Sequence, residues 1–91
     1  MSSIRRIRQQ FEESDKYLET WLEDVRKSRI VVRSNDTSYI DKVGVYISTI
    51  CRRQVEELAS NETLIQDYDG LTEEDLIACL KFVALRAKRK L

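Results

Sequence analysis

From residue 1 to residue 91 the chain contains no proline, and glycine occurs only at positions 44 and 70. These are the residues that most readily interrupt a helix: proline lacks an N–H and clashes with the preceding turn, and glycine is too free conformationally. A chain so poor in both has few obligatory breaks, so its ground plan is helical. Its 91 residues make one domain. A chain of this length buries about 60–65% of the surface it exposes when unfolded, so the core is thin and self-association is a common remedy. Apolar residues are 42% of the chain and charged residues 35%, a mix that can fold and is too apolar for wholesale disorder.

Ser2 or Ser3 caps a first helix running to about Lys27. Its apolar positions Ile4, Ile7, Phe11, Leu18, Trp21 and Val25 are spaced alternately by three and four, with Ser14 in the missing slot. That is a heptad seam, widened by Tyr17 and Leu22. Such a seam either packs on its own domain or pairs with its twin. Ile, Phe and Trp together are large for one small core, which favours the twin. Residues 1–28 are therefore expected to form an amphipathic dimerisation helix, and residues 29–91 a core domain with a basic tail.

Arg29 to Val32 is β-branched and short, which predicts a strand, and Ser34 to Ser38 reads as a polar loop. Residues 39–45 fit either a helix or a strand; a second short strand is preferred. Helical spacing returns at Tyr46, with Ile47, Ile50, Cys51, Val55 and Leu58 predicting a helix to about Ala59. Ser60 or Asn61 caps a short helix over 61–68, and Asp69-Gly70 closes it, with Gly70 suited to the left-handed position. Thr72 caps a last helix over 72–89 with Glu73, Glu74 and Asp75 in its first turn. Leu76, Ile77, Leu80, Val83, Ala84 and Ala87 are expected to form its buried stripe. The fold class is thus mainly α: a long N-terminal helix plus a three-helix, helix-turn-helix-like core with one or two short strands.

Sixteen basic residues balance 16 acidic ones, which argues against strong nonspecific nucleic-acid binding. The charges are segregated all the same. Arg5, Arg6 and Arg8 stand near one end; Lys81, Arg86, Lys88, Arg89 and Lys90 crowd the other; the middle is acidic. The tail cations match either a helix C-terminus or phosphates. Any nucleic-acid contact falls to Arg5, Arg6, Arg8, Arg52, Arg53, Arg86, Lys88, Arg89 and Lys90, because Glu73, Glu74 and Asp75 at the start of the last helix would repel phosphate.

The chain has no histidine, which removes histidine-based catalysis and most zinc sites. Cys51 and Cys79 are expected as reduced core thiols, with no disulfide framework and no metal cluster. The paired acids Glu12-Glu13, Glu56-Glu57 and Glu73-Glu74 read as solvated helix faces. No nucleophile-and-base arrangement, phosphate-binding loop, signal peptide or membrane span is recognisable. The expectation is a cytoplasmic chain that is not an enzyme and has neither cofactor nor small-molecule substrate.

The run from Leu64 to Ala84, Leu-Ile-Gln-Asp-Tyr-Asp-Gly-Leu-Thr-Glu-Glu-Asp-Leu-Ile-Ala-Cys-Leu-Lys-Phe-Val-Ala, resembles the core of the domain of unknown function family 433. Arg29 to Val32 is similar to the family's opening strand, and Val43 to Ser48 falls where that family passes from a second strand into its first core helix. The similarity spans about residues 29–87. The family's glycine-rich loop and Gly-Thr-Arg segment are replaced here by Ser34 to Ser38 and residues 39–45. The resemblance implies an antitoxin-like protein with a homeodomain-like or winged helix-turn-helix fold. Such proteins bind a toxin, often a nuclease, and in some cases their own promoter. Two functions follow as expectations: a dimeric protein-binding adaptor, or an antitoxin-type DNA-associated regulator that neutralises a nuclease toxin.

Overall fold

The computed structural model describes residues 16–91. The chain is mainly helical, with one two-stranded antiparallel sheet. Helix α1 is described over residues 16–27, followed by β1 (Ile30–Val31), a single 3-10 turn (Asn35–Thr37) and β2 (Tyr39–Ile40). Helices α2 (Ile47–Glu56), α3 (Asn61–Asp67) and α4 (Glu73–Ala87) complete the order.

The hairpin pairs Ile30 with Ile40 and Val31 with Tyr39. The expected second strand over 39–45 is cut to two residues. Lys42 and Gly44 both take positive φ (70° and 79°), and the Gly44 N–H returns to the Ile40 carbonyl at 2.8 Å, so the backbone turns instead of running on. Ser38 stabilises the loop it closes: its buried hydroxyl accepts from the Arg33 N–H and donates to the Arg33 carbonyl.

Helix α2 ends earlier than the periodicity predicts. Leu58 adopts φ 53°, and the Ala59 N–H reaches back to the Arg53 carbonyl at 3.1 Å. Ile47 and Ile50 are buried, whereas Val55 and Leu58, expected on the apolar face, lie past the edge of the core and are exposed. Helix α3 starts where the Ser60 hydroxyl accepts from the Thr63 N–H, and it buries Leu64. Gly70 has φ 85°, the left-handed conformation expected of it. A Cβ there would meet Val43 at an ordinary 3.9 Å, so a substitution at Gly70 would strain the backbone without a clash.

Both ends of α4 are closed by side-chain or backbone bonds. Thr72 and Asp75 form a capping box, and the Asp75 carboxylate accepts from the Thr72 N–H at 3.0 Å. At the other end Arg89 takes φ 57°, with the Lys90 N–H bonded to the Leu85 carbonyl and the Arg89 N–H to Arg86. This is a Schellman ending with arginine in the place glycine usually holds.

One core unites all the elements. Leu18, Val25, Ile30, Ile40, Val45, Ile47, Ile50, Leu64, Leu71, Leu76, Ala78, Cys79, Phe82 and Leu85 are buried in it, with Trp21, Leu22 and Tyr68 packed on its flank. Two site expectations are corrected here. Leu18 and Val25, assigned to a dimer seam, point into the chain's own core, because α1 lies along α4 and needs them to bury its inner face. Trp21 is half-buried between the two helices. Ile4, Ile7 and Phe11 lie outside the described residues.

Candidate interaction surface

Helix α4 is apolar on nearly every side, so its burial depends on how it is rotated. Asp75 sets that rotation. Its side chain is buried, and the Arg29 guanidinium holds it from across the domain: Nε donates to Oδ1 at 3.1 Å and Nη2 donates to Oδ2. The same Nη2 also reaches the Gly70 carbonyl at 2.8 Å, tying the α3–α4 turn to the start of β1. Burial by itself pushes the Asp75 carboxyl up. The bonds from Arg29 and Thr72 outweigh it and hold the group below its ordinary range.

With Asp75 turned inward, Ala78, Cys79, Phe82 and Leu85 follow it into the core. The expected buried stripe is therefore corrected. Leu76 is buried and Ala84 half-buried, but Ile77, Leu80 and Val83 are 46%, 60% and 42% exposed, and Ala87 is exposed as well. Trp21, Ile77, Leu80, Lys81 and Ala84 line a shallow groove of about 240 Å³. Next to it Asp24, Lys27 and Ser28 face Glu74, Ala78 and Lys81, so α1 runs antiparallel to α4. The Lys81 ammonium is answered within the chain by Asp24, 2.9 Å away.

The candidate phosphate contacts divide into tethered and exposed groups. Arg53 bonds Asp67 at 2.7 Å and Glu57 at 3.3 Å and stacks over the Tyr68 ring, joining α2 to α3. Arg86 lies over the Phe82 ring and donates to the Arg33 carbonyl at 2.8 Å. Both side chains are thus engaged within the chain. Arg52, Lys88, Arg89 and Lys90 are exposed, and Arg5, Arg6 and Arg8 lie outside the described residues. Of the three acids opening α4, Glu73 and Glu74 face solvent, while Asp75 is neutralised by Arg29.

Cys79 is buried and Cys51 half-buried, and both are free thiols. Burial pushes the Cys79 thiol up to about 12, with smaller contributions from Cys51 and Asp75. Among the described residues no group of three or more metal-ligating side chains converges, and no helix is long and apolar enough to cross a membrane. No protein-family profile matches the chain, and neither a curated protein nor a solved structure is significantly similar to it.

The large residues of α4 that composition and spacing misplaced are Ile77, Leu80 and Val83. A signal for them exists in the sequence: ten of the twelve positions from Leu76 to Ala87 are apolar. A helix that is apolar all round is either fully buried or met by a partner.

Proposed function

We propose that the chain is a non-enzymatic, homodimeric adaptor that works in the cytoplasm by binding protein. The observation that carries this reading is the contiguous apolar surface of Ile77, Leu80 and Val83 beside Trp21, on a helix capped at both ends. Grouped apolar side chains on a charged surface mark protein-binding faces, whereas single ones do not. Free thiols in the core support a reducing compartment. Sedimentation equilibrium at micromolar concentration should give twice the 10.7 kDa chain mass. A single species at 10.7 kDa over that range would remove the dimer from the reading.

A second reading takes the resemblance to family 433 at face value: an antitoxin-type, DNA-associated regulator that neutralises a nuclease toxin, with α3 and α4 as a helix-turn-helix. The exposed cations Arg52, Lys88, Arg89 and Lys90 favour it. In that case binding to the DNA upstream of its own gene should weaken steeply with salt, with a log–log slope of about −0.9 per phosphate neutralised. Replacing Lys88, Arg89 and Lys90 by alanine should flatten the slope. No binding even at low salt would end this reading.

A further inference from the structure

We infer that the exposed stripe of α4 is covered by the same stripe of a second copy, with the two α4 helices packed antiparallel about a two-fold axis. The inference rests on the homodimeric reading and states which surface builds the dimer. Ile77, Leu80, Ala84 and Ala87 succeed one another at steps of three, four and three, the spacing of a helix-pairing seam. The seam is graded, with large side chains in its first half and alanines in its second. If the axis passes beside position 82, Ile77 meets Ala87 of the second copy and Leu80 meets Ala84, so large residues fill the space left by small ones. A parallel pair would set Ile77 on Ile77 and leave the alanines facing a gap.

Charge points the same way. Glu73 and Glu74 stand exposed at the start of α4, and Lys88 and Lys90 stand exposed at its end. Antiparallel packing brings the acids of each copy to the bases of the other, twice, and sets the helix dipoles head to tail. A parallel pair would oppose acid to acid and base to base. Lys81, on the rim of the groove, is already matched by Asp24 and adds no like-charge repulsion. The zero formal net charge of the chain imposes no general barrier to self-association. Trp21, beside Ile77 and Leu80, widens the apolar contact on one side.

The test uses the full chain and three variants, followed by sedimentation equilibrium, with far-UV circular dichroism to confirm the fold. Leu80→Lys should weaken the dimer by at least about thirtyfold, since the change enters the contact twice. The double variants Glu73→Lys/Glu74→Lys and Lys88→Glu/Lys90→Glu should each weaken self-association. An equimolar mixture of the two should restore it, because both ends are then complementary again. If the parent is dimeric and Leu80→Lys leaves it so, the placement on α4 is overturned while the homodimeric reading stands. If Leu80→Lys dissociates the dimer but the mixture does not recover, the antiparallel arrangement is overturned. A monomeric parent overturns both.

Discussion

Asp75→Ala should lower the unfolding free energy by about 3 kcal/mol. Three supports are lost together. The α4 capping box loses its return bond to the Thr72 N–H, the Thr72 hydroxyl loses an acceptor, and the Arg29 guanidinium is left without its carboxylate. Asp75→Asn keeps one oxygen for Thr72 but removes the charge and one of the two acceptors that Arg29 uses, so it should fall between the parent and the alanine variant. The pH dependence has a definite sign. The carboxyl of Asp75 is depressed in the folded chain, so the unfolded chain binds its proton more readily. Its contribution is complete above the ordinary aspartate range of about 4 and is lost as the pH falls through that range and below. Urea unfolding of parent and Asp75→Asn between neutral and acid pH should give curves that converge at the acid end. Parallel curves would show that the Arg29–Asp75 pair has no electrostatic share in stability.

Leu64→Ala should be comparably costly, at about 3 kcal/mol. Leu64 has no exposed surface and is the fully buried side chain of α3, a helix too short to persist without tertiary contacts. A chain of this size has about 5–14 kcal/mol to lose, so the variant gives up a large share of it. Its urea midpoint should drop by about 1.5–3 M. Val55→Ala and Leu58→Ala are the matched controls. Both side chains are well exposed, and each change should fall within about 0.5 kcal/mol. A Leu64 variant indistinguishable from these controls would mean that α3 does not depend on the core for its position.

The local devices of the fold were legible in the sequence. Ser60, Thr72 and Gly70 announce the start of α3, the start of α4 and the turn between them, because each acts on backbone groups within three residues of itself. The β-branched run at Ile30–Val31 likewise forms the strand it predicts. Legibility ends where a long-range contact chooses between local options. Periodicity alone admits more than one inward face for α4, since Leu76, Ile77, Cys79, Leu80, Phe82 and Val83 are all apolar. The choice falls to Arg29, 46 residues away from Asp75, and a pairing at that separation leaves no trace in spacing. The seam of α1 shows the same limit: the pattern is compatible with a partner, but the chain's own core takes Leu18 and Val25. For the candidate surface, composition gave the apolar excess of α4 and the structure gave its direction.

The enclosure of Cys79 gives the molecule an internal clock. Its thiol is buried in the core and is held up at about 12, so at neutral pH it is neither ionised nor within reach of a reagent. Alkylation of that sulfur has to wait for α4 to lift from the core. When labelling is faster than closing, the labelling rate under native conditions counts how often the core opens, with little dependence on how reactive the sulfur is once uncovered. A chain of 91 residues with one such reporter near the middle of its last helix carries a gauge of its own breathing, readable by mass without any added label in the core.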